Sequence, residues 1–220
     1  MSNQLFEQVD NYISNFLAPQ DDALISVIDN LKQSNIDNAS ISANQGKFLQ
    51  VLGIICNARR ILEIGTLGGY STIWLARILP EDGKLISLEC NSTHAKIAKE
   101  NLQQAGLSEK VEIRLGAALD ILPYLLNEEP FDMIFIDADK PPYLEYFQWA
   151  IKLGRPGTVI VADNVIRNGQ VLDPDSKDEK VKGVQRLNEM LAGCKEVTAT
   201  ILQTVGVKEY DGMVVAVVNR

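Results

Sequence analysis

The sequence predicts an α/β protein built on a mostly parallel sheet of seven strands, with an antiparallel hairpin at the C-terminal end and helices on both faces. The first 57 residues have helical periodicity, the next part alternates short apolar runs with amphipathic segments, and two strand-like runs end the chain. Apolar strands that alternate with helices are typical of a parallel sheet covered on both sides. The 220 residues fit one domain, 1–220, with N-terminal helices in 1–57 and an α/β core in 58–220.

The individual elements follow from the spacing of apolar residues. Leu5, Val9 and Ile13 recur at helical intervals, and the first 57 residues are expected to hold two or three helices. Five strands are predicted at 60–64, 84–90, 111–115, 132–138 and 158–163. Helices are predicted between them at 71–79, 93–105, 117–126 and 143–153.

The C-terminal part is expected to differ from the parallel core. The apolar runs 196–202 and 213–219 are separated by ten residues. Because this gap is too short for a helical crossover, the two runs are predicted to pair as an antiparallel hairpin. The polar stretch 165–180 is predicted as an exposed loop after the fifth strand.

Composition and charge narrow the classes of function. The chain carries 21 basic and 29 acidic residues, a net charge of −8, which argues against general nucleic-acid binding. Residues 1–10 lack the basic start and apolar stretch of a signal peptide, and the longest apolar runs are too short to span a bilayer. We therefore expect a cytoplasmic protein without nucleic-acid or membrane partners.

Cysteine and histidine usage limits the chemistry further. Cys56, Cys90 and Cys194 are odd in number and widely separated, so they are predicted to be reduced thiols packed as small apolar residues. The only histidine is His94, which is too few for a multi-histidine zinc site. A metal would therefore be oxygen-ligated, as Mg²⁺, Ca²⁺ or Mn²⁺ are.

A glycine-rich turn, EIGTLGGYS, follows the first predicted strand and opens a helix. Ligands of parallel sheets bind beyond the carboxyl ends of the strands, where glycines allow close backbone approach. The G-x-x-G-G spacing differs from the dinucleotide fingerprint, and Glu63 ahead of it suits an ammonium group better than a pyrophosphate. Glu89 follows Gly65 by 24 residues, where an acid can bind ribose hydroxyls. The combination predicts an adenosyl ligand, with a tight structural turn as the alternative.

Oxygen-bearing side chains end the fourth and fifth predicted strands. Asp137 closes one apolar run, and Asp163 and Asn164 close the next. Because neighbouring strand ends meet at one edge of a sheet, these three side chains are predicted to form a Mg²⁺ site. Helix caps or loop salt bridges are the alternative for either segment alone.

The ordered motifs E-I-G-T-x-x-G-Y-S, I-D-A-D-K and D-N resemble the cation-dependent O-methyltransferases that use S-adenosylmethionine, the family of the caffeoyl-CoA and catechol O-methyltransferases. The resemblance extends from ISANQGKFL to YDGMVVAVVN. It implies the Rossmann-like class I methyltransferase fold, S-adenosyl-L-methionine as cofactor, a bound Mg²⁺ (or Mn²⁺ or Ca²⁺) and a homodimer. The implied reaction is methyl transfer to one hydroxyl of an aromatic vicinal diol.

The resemblance also implies roles for individual residues. The implied cofactor contacts are Ile41, Glu63, Gly65, Thr66, Ser71, Glu89, Ala118 and Asp137. The implied metal ligands are Asp137, Asp163 and Asn164, the implied base is Lys140, and the implied substrate contacts are Asp137 and Asn168. Arg167 stands where plant members of the family have Trp, which favours an acidic or smaller catechol-like acceptor.

Three other interpretations stay open from the sequence. The segment DKPPY is similar to the D/N-P-P-Y motif of methyltransferases that act on amino groups, although Lys140 interrupts it. An NAD-dependent dehydrogenase would be distinguished by NAD⁺ binding. A non-catalytic sensor of an adenosyl ligand would leave the predicted metal ligands and Lys140 without a use.

Overall fold

The computed structural model describes residues 3–220, so Met1 and Ser2 lie outside the described part. Eight α-helices occur in the described part, with bounds α1 Asn3–Leu17, α2 Asp22–Gln33, α3 Ala43–Ile55, α4 Tyr70–Ala76, α5 Ser92–Gln104, α6 Ala118–Ile121, α7 Tyr143–Leu153 and α8 Glu179–Gly193. Seven strands occur there, with bounds β1 Arg60–Ile64, β2 Lys84–Glu89, β3 Val111–Leu115, β4 Phe131–Ile136, β5 Gly154–Asp163, β6 Val197–Thr204 and β7 Asp211–Val218. Short 3₁₀ turns cover Leu122–Asn127 and Arg167–Leu172.

The seven strands form one mixed sheet in the order β3-β2-β1-β4-β5-β7-β6. The first five strands are parallel, and β7 inserts between β5 and β6 and runs antiparallel to both. This arrangement confirms the predicted fold class and the C-terminal hairpin. It also makes β4 and β5 neighbours, so the segments that follow them meet at one edge of the sheet.

Alternating strand residues bury both faces of the sheet. In β4, Met133 and Phe135 belong to a core under α2 to α5, whereas Ile134 and Ile136 belong to a second core under α7 and α8. All four side chains are fully buried. Burial of strand residues on both sides explains why the parallel strands read as continuous apolar runs.

Helix α2 supports the glycine-rich turn from outside the sheet. Asn30 of α2 donates to the Asn101 side chain at 2.6 Å, and the Asn101 amide donates to the Gly68 carbonyl at 2.8 Å. A Cβ at Gly68 would meet Val27 at 2.9 Å and Leu31 at 3.0 Å. The N-terminal helices therefore pack on the turn that the sequence singles out as ligand-binding.

Two expectations about the segments between strands were incomplete, one after β5 and one between β3 and β4. Helix α8 was not predicted and begins inside the stretch expected to be a loop, although Asp178 accepts from the Lys180 N–H at 2.8 Å as a helix cap. Its buried residues Val181, Val184 and Leu187 recur every three positions, a helical signal that the sequence contains. The predicted helix 117–126 is also only one α-helical turn followed by a 3₁₀ turn that contains a proline.

All three cysteines are free thiols, but Cys90 is exposed and the other two are half-buried, so the expectation of buried packing was wrong for Cys90. None of the helices in residues 3–220 is long and apolar enough to cross a membrane.

Candidate active site

A cavity of about 690 Å³ opens at the carboxyl ends of the parallel strands. Nine of the predicted site residues line it: Ile41, Gly65, Thr66, Ser71, Glu89, Ala118, Asp137, Lys140 and Asn164. Three of the predicted site residues do not line it: Glu63, Asp163 and Asn168. The fold therefore brings together residues that lie more than 120 positions apart in the chain.

Gly65 allows the turn after β1 to lie against the turn after β4. Its φ angle is +99°, and a Cβ at this position would lie 2.1 Å from the carbonyl oxygen of Asp137. Both the backbone conformation and the space exclude other side chains. Glycine is needed here because it brings the turn and the Asp137 backbone into contact.

Glu89 holds the glycine-rich turn while lining the cavity. One of its carboxylate oxygens accepts from the N–H groups of Thr66 at 3.2 Å and Leu67 at 2.9 Å. The other accepts from the Asn91 N–H at 2.8 Å. A carboxylate has about four acceptor positions, so one remains for a ligand hydroxyl. Glu89 thus shapes the turn in addition to the ribose contact that the resemblance implies.

Glu63 is fully buried behind the cavity wall. Its two oxygens accept from the hydroxyls of Ser71 at 2.6 Å, Thr72 at 2.5 Å and Ser87 at 2.6 Å. Burial raises the pKa of Glu63 to about 7, although these three hydrogen bonds favour the charged form. Ser71 lines the cavity and contacts Glu63, so it links the buried carboxylate to the ligand side.

Lys140 is buried at the floor of the cavity and is held by two groups. Its Nζ donates to Asp137 Oδ1 at 3.0 Å and to the Tyr143 hydroxyl at 2.6 Å. The Tyr143 hydroxyl in turn donates to the backbone carbonyl of Asp163 at 2.9 Å. Tyr143 is fully buried, and burial raises its pKa well above the usual value, so the hydroxyl keeps its proton. The chain Asp137–Lys140–Tyr143 fixes the amine between the ends of β4 and β5.

Tyr143 is a residue that sequence reasoning did not assign to the site. In the sequence it is part of the segment DKPPY, which is similar to the motif of amino-group methyltransferases. Its fully buried ring cannot stack on a base in the cavity, and its hydroxyl orients Lys140 instead. The signal in the sequence was its position three residues after Lys140, within the first turn of α7.

Asp137, Asp163 and Asn164 suit a divalent cation by the chemistry of their donors. Burial and the charge of Asp137 raise the pKa of Asp163, while Lys140 opposes this shift. Residues 3–220 contain no cluster of three or more His, Cys, Asp and Glu side chains that could hold a metal ion. A cation at this edge of the sheet would be held by the two carboxylates and the amide of Asn164. Mg²⁺ is commonly held by one or two carboxylates together with water and substrate oxygens. The residues therefore fit Mg²⁺.

The segment after β5 has a strained backbone that positions its side chains. Asn164, Arg167 and Asn168 all have positive φ angles, between 54° and 59°. Asp211 of β7 accepts from the N–H groups of Ile166 and Arg167, both at 2.9 Å. Arg167 lines the cavity, whereas the Asn168 side chain is exposed and donates to Glu209 at 2.5 Å. Asp211 was also missed by sequence reasoning.

Ser40 is a further residue of the cavity wall that sequence reasoning did not identify. It lies beside Ile41 on the segment that precedes α3. Its hydroxyl is buried and finds no hydrogen-bond partner among the described residues. A buried hydroxyl without a partner is costly, so a polar group of a bound ligand is the expected partner.

Comparison with known proteins gives a consistent result. The profile of the O-methyltransferase family matches residues 18–217. A catechol O-methyltransferase from Niastella koreensis is 58% identical over 221 residues, which cover 100% of both chains. The crystal structure of the O-methyltransferase TomG from Streptomyces achromogenes, in complex with SAM, has a TM-score of 0.96 at 49% identity over 100% of both chains. That of an O-methyltransferase from Bacillus cereus, in complex with SAH, has a TM-score of 0.96 at 50% identity and covers 99% of this chain and 100% of the other.

Proposed function

Because the chain belongs to the O-methyltransferase family, we propose that it transfers a methyl group from S-adenosylmethionine to one hydroxyl of an aromatic vicinal diol such as catechol. The observation that carries the proposal is the ion pair between Asp137 and the buried Lys140, 3.0 Å apart, in a cavity that the glycine-rich turn also lines. Donor binding and proton removal are thereby combined in one cavity. The resemblance noted from the motifs is confirmed at the level of the family.

The methyl donor would lie along the ends of β1 and β2. Glu89 has one acceptor position free for a ribose hydroxyl, and Ala118 offers a small apolar surface for the adenine ring. Ser71, with Glu63 behind it, presents oxygens to the amino group of the methionine part. The sulfonium carries the methyl group in an activated form, so the protein has to place the acceptor oxygen in line with the C–S bond.

The acceptor would be held at the ends of β4 and β5. Asp137, Asp163 and Asn164 are the residues that would hold a divalent cation, which supplies Lewis-acid chemistry that lowers the pKa of a bound hydroxyl. Lys140 would assist removal of the hydroxyl proton, either by accepting the proton or through the positive charge of its ammonium group. Tyr143 keeps the Nζ of Lys140 in position from the side opposite the cavity. One O–C bond forms, one C–S bond breaks, and the hydroxyl proton is released.

The direct experiment is an assay with catechol, S-adenosylmethionine and Mg²⁺, with the monomethyl ether detected by mass spectrometry. Resorcinol is the matched control acceptor, because its two hydroxyls are not adjacent and cannot chelate one cation. Asp137→Asn is expected to abolish turnover, whereas Asp82→Asn, an exposed carboxylate before β2, is expected to leave it unchanged. The proposal would be overturned if folded protein that binds S-adenosylhomocysteine methylated none of the vicinal diols tested.

A homodimer and a cytoplasmic location complete the proposal. Helix α1 exposes Leu5, Val9, Tyr12, Phe16 and Leu17, between 46% and 70% of each side chain. A contiguous apolar helix face of this kind is typical of a subunit interface. Sedimentation equilibrium of wild-type protein and of Phe16→Glu measures the oligomeric state. A monomeric wild-type protein would contradict the predicted dimer.

A further inference from the structure

A second cavity, of about 330 Å³, is lined by Ser42, the residue after Ile41 of the first cavity, and is not used by the methyl donor in the proposed function. We call it the acceptor-side cavity. It is lined by the apolar side chains of Phe48, Leu202 and Met213 and by polar and charged residues that include Lys208. Met213 is the register partner of Asp163 in the β5–β7 pair, so the cavity begins next to the predicted metal ligands. A volume of this size is at the lower end of the range for small-molecule sites.

Lys208 is the one cation among the residues that line the acceptor-side cavity in the described chain. Its Nζ donates to the carbonyl of Asn38 at 3.3 Å, and within residues 3–220 it forms no ion pair at 4.0 Å or less. Burial lowers the pKa of Lys208, and the charges of Asp137 and Asp163 oppose the shift. The ammonium group is therefore half-buried and has hydrogens left to donate. It also lies within electrostatic reach of the predicted metal ligands Asp137 and Asp163.

The acidic residues beside Lys208 are already engaged. Asp10 is buried, and its Oδ2 accepts from the Val207 N–H at 3.0 Å. Glu209 accepts from the side chain of Asn168 at 2.5 Å. Neither carboxylate contacts Lys208, although both line the same cavity. Among the described residues, Lys208 is thus left without an anionic partner in a cavity that Phe48, Leu202 and Met213 also line.

We propose that Lys208 binds a carboxylate on the methyl acceptor, which makes the preferred substrates acidic vicinal diols of the dihydroxybenzoate class. This inference rests on the proposed function. The apolar side chains of the cavity suit the flat ring, and the ammonium group of Lys208 suits an anionic substituent. A hydrogen bond to a charged partner strengthens binding more than one between neutral groups does, so an acidic substituent would be selected over a neutral one of the same shape.

Besides Lys140 and Lys180, which line the larger cavity, the competing cation is Arg167. It lines the larger cavity, and its Nε is buried without a hydrogen-bond partner among the described residues. Its backbone N–H is fixed by Asp211. Arg167 lines the larger cavity and not the acceptor-side cavity, so variants of Arg167 and Lys208 distinguish anion binding in the two cavities.

The test compares 3,4-dihydroxybenzoate with its neutral isostere 3,4-dihydroxybenzamide at saturating S-adenosylmethionine and Mg²⁺. Wild-type protein is expected to use the acid with the higher kcat/KM. Lys208→Met is expected to lower kcat/KM for the acid about tenfold more than for the amide, with the effect mainly in KM. Lys208→Arg keeps the charge and is expected to retain the preference, and Arg167→Met is the matched control. Titration of the acid into each variant with S-adenosylhomocysteine and Mg²⁺ measures binding without turnover.

Three results would overturn the inference. The first is equal use of acid and amide by the wild-type protein. The second is an equal loss for both substrates in Lys208→Met, which would mean that the lysine only balances the charges of Asp137 and Asp163. The third is a preference that Arg167→Met removes and Lys208→Met keeps. Failure to methylate acid, amide and catechol alike would instead refute the proposed function.

Discussion

Replacement of Gly183 by alanine is expected to slow methyl transfer in a protein that still folds. Gly183 lies in α8, where a Cβ would be 2.1 Å from the Lys140 carbonyl oxygen and 2.8 Å from the Pro141 Cα. Real Cβ atoms essentially never approach closer than 3.0 Å, so the Lys140 backbone must move by about 1 Å. The Nζ contacts of Lys140 with Asp137 and Tyr143, at 3.0 and 2.6 Å, would then stretch. A misplacement of about 1 Å can lower turnover about 10²-fold.

The effect on stability is expected to be smaller. Overpacking costs about 1–3 kcal/mol, and the helix preference of alanine over glycine offsets about 1 kcal/mol of this. Gly193→Ala at the end of the same helix is the matched control, because its Cβ meets nothing within 4 Å. Turnover of catechol, calorimetric affinity for S-adenosylhomocysteine and urea unfolding are measured on both variants. Wild-type turnover in Gly183→Ala would refute the reasoning, as would an equal loss of turnover in Gly193→Ala.

Three further predictions concern the site itself. Lys140→Ala is expected to lower turnover about 10²–10⁴-fold and to leave S-adenosylhomocysteine affinity nearly intact by calorimetry; an unchanged rate would remove Lys140 from the mechanism. Dialysis against EDTA is expected to abolish turnover of catechol and added Mg²⁺ to restore it, whereas activity that survives EDTA would contradict a cation site. Glu63→Gln is expected to flatten the pH dependence of stability. Burial raises the pKa of Glu63 from 4.5 to about 7. Between these two pH values the folded state therefore binds more protons than the unfolded state. The free energy of unfolding falls by up to about 3 kcal/mol as the pH rises through this range. Urea unfolding at pH 5 and pH 8 measures this fall, and parallel behaviour of wild type and variant would refute the assignment.

The strands and their order along the chain could be predicted because their signals are local. The bounds of β1 and β3 and of α7 agree with the predicted ranges, since continuous apolar runs and helical spacing are read over a few residues. Helix α8 was missed because its buried positions are diluted by charged residues, which give the segment the polarity of a loop. The correct pairing of β4 with β5 followed from the general preference for neighbouring parallel strands, and it places Asp137 and Asp163 at one edge.

The sequence by itself determined the α/β class, the glycine-rich turn and the presence of Asp137, Asp163 and Asn164 at the strand ends, because each is carried by residue types within a short segment. Only the tertiary structure decided which side chains hold those residues in place. Tyr143 orients Lys140, and Gly183 makes room for its backbone across 43 positions of sequence. Lys208, on the β6–β7 turn, lies where the charges of Asp137 and Asp163 act on it, and Glu63 is separated from the cavity by Ser71. These relations depend on the packing of distant segments, for which the spacing of residues along the chain contains no signal.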